Sequence, residues 1–539
     1  MKYSWLLFLI LVFARCSDIH EASEKAVFTY NESNGITSLD PAFTRNLENM
    51  WAVNQLFDGL VELDDALHIQ PLIARSWSVS EDGLTYLFNL RTDVFFHDDA
   101  CFENGAGRLL TAQDVEFSFR RLLDDGLASP GRWIFDPVAE NGFEVINDST
   151  FQIHLNSPFP PFLGMLTTQY ADVVPHEAIT KYGEDFRSHP VGSGPFKFAF
   201  WMEDVALVFH KNPNFWQRDE HGAQLPYLDA VKIEFVRDMN AEFLGLLQGQ
   251  FDFMSGIHAA YKDELLTQDG ELQPAYQELV NFQRSPFIKT DYIGVLVDDS
   301  LPFSATHPLH DVRIRQALNM SVDRSSMVRY LRNNSVYEAV NGFVPPGMAG
   351  FENPELLVEY DLEKARQYMA DAGFPNGEGL PVIPLSTTSD YVDIIEFLQH
   401  QWRKIGVEIS VDVLAGPAQR EQVSSSNALL FRKSWLADYA DAENFLGTFI
   451  SKNFCPNGAN YTHYGNAKYD ALYTSAAQAK TDSARFAIYR EMNEIIANDV
   501  PVIPLFYDQV SHFIRKDVSN FSTNAINMLD LKRTKKEVK

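Results

Sequence analysis

Runs of strand-forming residues, and in places alternation of apolar with polar residues, predict β-strands at several points along the chain. The clearest segments are residues 26–30, 85–90 and 231–236. The residues before the second segment alternate as well, and Asp82-Gly83 separates the two runs. Asp-Gly readily takes the positive φ of a tight turn, so this stretch predicts a β-hairpin.

Apolar residues that recur every three or four positions predict helices. These segments are residues 48–60, 240–248, 361–372, 394–405 and 483–497. Two more helices are predicted within residues 311–331, and Thr111 with Asp114 predicts a capped helix start. Residues 407–413 and 502–506 indicate two further strands, and the polar residues 532–539 are expected to fray. Strands and helices therefore alternate, which favours α/β lobes with mixed sheets.

Length and charge narrow the class of protein. A chain of 539 residues exceeds the size at which a single core usually stops growing, so two or three lobes are expected. Asp and Glu number 73 against 44 Lys and Arg, for a formal charge of −29. Such a surface repels nucleic acid and keeps copies of the chain apart, so we expect a monomer with no nucleic-acid partner.

The N-terminus has the pattern of a secretion signal. Lys2 precedes an apolar run at residues 5–14, and Cys16 follows. The run is too short to cross a hydrocarbon core of about 30 Å, so residues 1–15 are predicted to be a signal peptide. An apolar run before a cysteine resembles a bacterial lipoprotein signal, which implies a lipid on Cys16 and anchoring to the membrane. Arg15 departs from the small residue typical of that position, and an uncleaved anchor or another cleavage point is the alternative.

Cysteine and histidine patterns give no metal site. The three cysteines are Cys16, Cys101 and Cys455, without metal-ligand spacing, and whether the last two pair is left open. His97 lies in an acidic turn, which more often forms a solvated hydrogen-bonding cluster than a metal site. The sequence contains no Gly-x-Ser-x-Gly, Cys-x-x-Cys or His-Glu-x-x-His motif. We therefore expect no cofactor, no metal and no enzyme.

A charged segment at residues 432–445 is the best candidate for a ligand site. Arg432 and Trp435 lie close in sequence to three carboxylates, Asp438, Asp441 and Glu443. A peptide has a cationic amine at one end and a carboxylate at the other. A carboxylate could pair with the amine, an arginine with the carboxylate, and an indole could pack on a side chain. From the residues alone, a plain charged loop is the alternative.

Several motifs in order resemble one family, the family 5 extracellular solute-binding proteins, which include the oligopeptide- and dipeptide-binding lipoproteins of ABC importers. The matching segments are residues 72–119, 191–198, 212–216, 226–229, 311–324, 344–347, 360–373 and 501–507. The resemblance covers nearly the whole chain after residue 15.

The resemblance implies an α/β, periplasmic-binding-protein-like fold, with two main lobes of mixed sheets, an inserted third lobe and a ligand cleft at a hinge. Lobe I would comprise residues 16–60, 186–285 and 500–539. Lobe II would be residues 61–185, and lobe III residues 286–499. The ligand would lie between lobes I and III, which close about the hinge.

The resemblance also implies a function and site residues. The Trp-x-x-Asp motif of peptide-binding members matches Trp435 to Asp438, so Asp438 would pair with the ligand's α-amine and Trp435 would form a pocket wall. Arg432 falls where a relative has an arginine that reaches ligand carboxylates. The chain would capture small peptides on the periplasmic side and pass them to ABC permease subunits. A metal chelate, haem or an oligosaccharide is an alternative ligand, and an envelope peptidase is an alternative function. Ala442 stands where the family often has proline, so the local loop shape differs.

Overall fold

The computed structural model describes residues 25–257, 261–301, 304–305, 307–352 and 355–538. The predicted signal peptide at residues 1–15 and the predicted lipidation site Cys16 lie outside these ranges. Within them, no helix is both long and apolar enough to cross a membrane.

The strands are β1 (Val27–Asn31), β2 (Val61–Leu63), β3 (Ile69–Pro71), β4 (Ala74–Val79), β5 (Thr85–Leu90), β6 (Val138–Asn147), β7 (Thr150–Leu155), β8 (Phe196–Met202), β9 (Ala206–Lys211), β10 (Ala230–Glu234), β11 (Phe253–Ser255), β12 (Val280–Val295), β13 (Val336–Glu338), β14 (Ile383–Thr387), β15 (Ile409–Val413), β16 (Leu430–Leu436), β17 (Val502–Arg515), β18 (Val518–Ser519) and β19 (Lys535–Lys536).

The α-helices are α1 (Leu47–Val53), α2 (Ala112–Leu122), α3 (Phe162–Met165), α4 (His176–Tyr182), α5 (Met239–Gln248), α6 (Lys262–Leu265), α7 (Val312–Met320), α8 (Arg324–Arg332), α9 (Leu362–Asp371), α10 (Val392–Arg403), α11 (Gly416–Ser424), α12 (Glu443–Leu446), α13 (Ala467–Ala477) and α14 (Asp482–Asp499).

One large mixed sheet runs through both halves of the molecule, from β15 at one edge to β8 at the other. Across the described residues, its strand order is β15-β14-β16-β12-β17-β11-β1-β10-β9-β8, with β13 also paired to β17. Pairs β1–β10 and β14–β16 are parallel, whereas β12 is antiparallel to both β16 and β17. The predicted α/β class with mixed sheets is confirmed.

Two long strands run side by side at the centre of this sheet. β12 has 16 residues and β17 has 14, and their register shifts between Pro286 and Thr290 and again after Asp291. The apolar residues on the two sides of the β12–β17 strand pair belong to different hydrophobic cores. One core is built mainly from the residues up to Ile233, and two others lie within residues 288–525 apart from Leu67. β12 and β17 thus link two separately packed halves.

A smaller antiparallel sheet, β4-β5-β7-β6, packs on the first core. The predicted hairpin is confirmed: Gly83 has φ +70°, and Asp82 accepts a hydrogen bond from the backbone N–H of Leu84 at 3.1 Å. The predicted cap of α2 is confirmed as well, since the carboxylate of Asp114 accepts from the N–H of Thr111 at 2.9 Å.

Several sequence predictions need correction. The helix predicted at residues 48–60 ends at Val53, because the carbonyls of Gln55 and Leu56 accept bonds from Phe196 and Gly194. The strand predicted at 502–506 continues to Arg515, since β11 and β12 supply pairing partners along its length.

The polar tail is packed instead of frayed. Lys532 is buried beside Glu62, Lys536 lies 2.8 Å from Asp252, and Thr534 has no exposed surface. Ion pairing to distant segments holds this polar stretch in place.

The structure answers the open question about the cysteines and corrects the prediction for His97. Cys101 and Cys455 are both free thiols. His97 is buried, contrary to the solvated cluster predicted: its Nε2 lies 3.0 Å from the carbonyl of Gly194, and burial lowers its pKa to about 4. It therefore ties two turns together as a neutral ring.

Candidate ligand-binding site

The candidate site is the loop that leaves β16 and enters α12. β16 pairs along its length with β12, and the N–H of Ala437 donates to the carbonyl of Ile288 at 3.1 Å. After that contact the chain turns, and α12 begins at Glu443. The Trp435 to Glu443 segment is therefore held at one end by the central sheet and at the other by a short helix.

Asn444 brings Trp435 and Asp438 together. Its side-chain oxygen accepts from the indole N–H of Trp435 at 2.9 Å and from the backbone N–H of Asp438 at 3.2 Å. Its amide nitrogen donates to the Asp438 carboxylate at 3.3 Å. The two residues of the Trp-x-x-Asp motif thus belong to one hydrogen-bonded unit.

Two of the three candidate carboxylates are used inside the protein. Asp441 is buried and forms an ion pair with Arg485. Glu443 is buried and accepts bonds from the hydroxyls of Tyr439 and Tyr473. Both carboxylates therefore stabilise the loop and are not available to a ligand.

Asp438 is the open carboxylate of the three. Its side chain reaches solvent, yet surrounding protein desolvates it and raises its pKa, while the bond from Asn444 acts in the opposite direction. A carboxylate that is accessible but poorly solvated gains more from a cationic partner than one in bulk water. The site can therefore attract a charged amine.

Asp438 lies where residues from the two halves of the chain meet. The indole of Trp133 stacks on the ring of Tyr439, with centroids 6.0 Å apart and planes at 28°. The pKa of Tyr170 is raised mainly by burial and further by the charge of Asp438. Residues of the predicted lobes II and III thus lie near this carboxylate.

Arg432 projects from the opposite face of β16. Leu430, two residues before it, belongs to one core, whereas Phe431 and Trp435 pack on another. The guanidinium of Arg432 pairs with Asp291 and lies 3.1 Å from the ring centroid of Tyr391. The structure does not place Arg432 beside Trp435 and Asp438.

The charge of Arg432 is only partly stabilised where it lies. Burial lowers its pKa to about 9, and its Nε is buried without a hydrogen-bond partner among the described residues. Lys289 also contacts Asp291, at 3.3 Å. Asp291 would thus keep a cationic neighbour if Arg432 turned toward another anion.

Beyond Arg432, whose carbonyl accepts a bond from the Gln419 amide at 3.0 Å, one edge of β16 has no paired strand among the described residues. β14 pairs only with Leu430 and Phe431. Because Ala437 bonds to β12, the alternate residues Ser434 and Leu436 direct their backbone groups to the other edge. Leu436 is 48% exposed there. An extended chain could pair with this edge.

A Cys-His-Asp cluster escaped the sequence motifs. The thiol of Cys455 lies 3.3 Å from Nε2 of His463, and Nδ1 of His463 lies 3.2 Å from the carboxylate of Asp298. Thiol hydrolases use these residue types in this order. Here the cysteine is 4% exposed, and Nε2 of His463 is shared with the Ser426 hydroxyl at 2.9 Å and the Cys455 carbonyl.

The burial of Cys455 favours a structural role for this cluster. Neither this cluster nor any other group of three or more His, Cys, Asp or Glu side chains in the described residues is arranged to hold a metal.

Sequence reasoning missed Asn444, Trp133 and Tyr170. Asn444 follows the motif, and a side chain six residues after Asp438 could have been suspected as its partner. Trp133 and Tyr170 are more than 260 residues away in sequence, and only the fold brings them near the loop.

The chain was compared with known proteins. Residues 68–454 match the family described as bacterial extracellular solute-binding proteins, family 5 Middle. The glutathione-binding protein GsiB of Salmonella typhimurium is 26% identical over 493 residues, which cover 90% of each chain. Heme-binding protein A of Haemophilus influenzae is 28% identical over 471 residues, covering 84% of this chain and 81% of that protein.

A solved structure shows the same fold. It is the ABC transporter-associated periplasmic binding protein DppA from Helicobacter pylori, in complex with the peptide STSA. It is 24% identical, covers 95% of this chain and 98% of its own, and has a TM-score of 0.73. The expected periplasmic-binding-protein fold is thereby confirmed.

Proposed function

The chain belongs to the bacterial extracellular solute-binding proteins of family 5, and on that premise we propose that it captures small peptides and delivers them to the permease of an ABC importer. Its relatives are named as binding proteins for different solutes, glutathione in one case and haem in another. The peptide assignment therefore rests on the site of this chain.

The observation that carries the proposal is the open, poorly solvated carboxylate of Asp438. The α-amine of a peptide is largely charged near pH 7. A closed cleft removes its water, which is tolerable only when an acceptor with the opposite charge replaces that water. Asp438 offers such an acceptor, and Asn444 holds it in position.

The open edge of β16 supports an extended peptide as the ligand. Backbone groups of Ser434 and Leu436 would pair with the peptide, which gives affinity independent of side chains. An antiparallel peptide with its amine at Asp438 would direct its carboxylate toward Arg432. Arg432 would then exchange Asp291 for the ligand, while Lys289 continues to compensate Asp291.

The central strands are suited to a hinge. β12 and β17 connect the separately packed halves, so small backbone rotations at their register shifts would move one half against the other. We assign residues 16–60, 186–285 and 500–539 to lobe I, 61–185 to lobe II and 286–499 to lobe III. Trp133 already stacks on Tyr439 of the Asp438 loop, and this contact would help to hold the closed conformation around a peptide.

The proposed function also implies where in the cell the protein acts. The family is extracellular by description, and a lipid on Cys16 would hold a monomeric receptor at the membrane near its permease. The chain would then bind peptides without cleaving them.

The proposal is tested on the protein as purified and after incubation with glutathione and a mixture of tripeptides. Native mass spectrometry should show one bound peptide, released intact on denaturation. Bound haem or sugar in place of peptide would contradict the proposal. Fragments of the added peptides would indicate a peptidase, and loss of those fragments in Cys455→Ala would assign cleavage to the Cys455 cluster.

A further inference from the structure

The strands β1, β10, β9 and β8 leave one face of the large sheet open to solvent. Phe28, Val231 and Phe209 lie opposite one another in the register of these strands, and none of them has exposed surface. Successive side chains of a strand point to opposite faces, so His210 lies on the other, open face, where it is exposed. In the strand order of the sheet, β12, β17 and β11 separate these strands from β16 and its Asp438 loop.

Basic side chains gather at one end of this open face. Lys197 on β8 lies opposite His210 on β9, and His210 lies opposite Ala230 on β10. Lys211 follows His210, and Lys25 precedes β1, which pairs with β10. Neighbouring strands lie about 4.8 Å apart, so the four strands carry these basic groups across roughly 15 Å.

The three lysines have no acidic partner. Within the described ranges, the ammonium groups of Lys25, Lys197 and Lys211 form neither an ion pair nor a hydrogen bond. The nearby carboxylate of Asp229 accepts a bond from the backbone N–H of Ala26 at 2.8 Å instead. The formal charge of −29 predicts repulsion from anionic surfaces, but distant acids are screened beyond about 10 Å at about 0.1 M salt. The open face therefore presents a local excess of positive charge.

Apolar side chains are exposed at the other end of the open face. Phe200 on β8 is 49% exposed, and Met202 is 57% exposed. They pair with Val208 and Ala206 of β9, which share a face with His210. The acids of this region are ion-paired: Glu203 with Arg187, Asp204 with Arg237 and Glu234 with Lys232. Exposed apolar side chains beside basic ones suit the interface of a bilayer, where acyl chains meet charged headgroups.

The proposed lipid anchor is tied to this face by a short stretch of chain. Lys25 is nine positions after Cys16, and an extended chain covers at most about 3.3–3.6 Å per residue. A bilayer that holds the lipid would therefore lie within about 30 Å of Lys25. Basic side chains next to a lipid anchor add affinity for anionic headgroups.

We propose that the open face rests on a bilayer that contains anionic phospholipids, with Lys25, Lys197 and Lys211 against the headgroup phosphates and Phe200 and Met202 at the acyl boundary. The lipid on Cys16 is itself proposed, but the local charge and the exposed apolar side chains do not depend on it. Docking would hold the receptor in one orientation on the membrane that carries its permease.

Lysine labelling measures this contact on the lipidated protein. The protein is reconstituted in vesicles of phosphatidylcholine, alone or mixed with phosphatidylglycerol, and acetylated at about 0.1 M salt. Mass spectrometry should show at least about threefold less acetylation of Lys25, Lys197 and Lys211 in the anionic vesicles. Lys364 on α9 and Lys480 between α13 and α14 are exposed and should be labelled equally in both.

Vesicle flotation tests the same contact without the lipid. The soluble Cys16→Ser protein should bind vesicles with phosphatidylglycerol at least about tenfold more than vesicles of phosphatidylcholine alone. Lys197→Gln with Lys211→Gln should remove this preference. Lys364→Gln with Lys480→Gln makes the same change in net charge and should retain it. If Cys16 carries no lipid and reconstitution fails, flotation alone decides the proposal.

Two results would overturn the proposal. One is equal acetylation of the three lysines in both kinds of vesicle, or equal flotation with both. The other is protection of these lysines even without vesicles, relieved by Asp18→Asn, Glu21→Gln and Glu24→Gln. That result would place the chain's own acidic segment, and no lipid, on the open face.

Discussion

Trp133 and Tyr439 stack with their ring centroids 6.0 Å apart, although Trp133 belongs to the proposed lobe II and Tyr439 to the proposed lobe III. Tyr439 directly follows Asp438, so this contact couples cleft closure to the position of the amine partner. Closed conformations are stabilised by contacts that open ones lack.

Trp133→Ala should therefore weaken peptide binding by about three- to tenfold, since aromatic pairs contribute roughly 0.5–1.5 kcal/mol. Calorimetry gives the affinity. Small-angle scattering should show a smaller radius of gyration with peptide for the wild type, and a smaller change for the variant. Trp133→Phe retains a ring and should restore most of both. An unchanged radius at saturating peptide in the wild type would argue against closure.

Asp58 should make the protein less stable as pH rises. It is buried, and desolvation raises its pKa to about 7, although Ser193 donates to it at 3.2 Å. The folded protein thus holds this proton more tightly than the unfolded chain. The free energy of unfolding should fall as pH rises from about 4 to about 7.

Urea unfolding of wild type and Asp58→Asn at pH 4, 6 and 8 isolates this effect. The variant should gain about 2–4 kcal/mol relative to the wild type between pH 4 and pH 8. His97, whose pKa is lowered to about 4, gives the opposite trend in both proteins and cancels in the difference. A difference that does not vary with pH would show that Asp58 is not protonated in the fold.

Much of the fold follows from local patterns in the sequence. The hairpin at Gly83, the cap at Thr111 and the paired helices α7 and α8 each depend on neighbouring residues, so periodicity and turn chemistry predict them. The early end of α1 and the length of β17 depend on partners far along the chain. Hydrogen bonds to those distant partners decide where α1 and β17 end, and the local sequence pattern carries no information about them.

The candidate site likewise contains residues that the local sequence marks and a residue whose position only the fold determines. Trp435 and Asp438 are three positions apart in one sequence motif, which marks both as candidates, whereas the Asn444 side chain that bonds to both was not predicted. Arg432 is equally near in sequence, but strand alternation sends it to the other face of β16.

Cys16 should carry a lipid. The apolar run before it motivates this prediction, and these residues lie outside the described part of the chain. In cell fractionation, the wild type should sediment with membranes and Cys16→Ser should appear in the soluble fraction. Cys101→Ser serves as the matched control, because Cys101 lies in the folded region and should not affect anchoring. A Cys16→Ser protein that stays fully with the membrane would refute lipidation at this residue.

Arg432 should recognise the carboxyl end of the ligand. Arg432→Gln should weaken a free-acid tripeptide by about tenfold or more, but its C-terminal amide much less, because only the acid presents an anion. Calorimetry with both peptides measures the difference, and Arg420→Gln, an exposed arginine on α11, is the control. Equal losses for acid and amide would make Arg432 a structural partner of Asp291.

The pairing of Asp438 with the α-amine is tested most directly by calorimetry of trialanine and N-acetyl-trialanine on wild type and Asp438→Asn. Breaking one partner of a desolvated ion pair costs about 2–5 kcal/mol, on the order of 30-fold or more in affinity. Asp438→Asn should therefore weaken trialanine at least about 30-fold and change the acetylated peptide little, which gives a coupling energy in the double-mutant cycle. Equal weakening of both peptides would contradict a role for Asp438 in binding the amine.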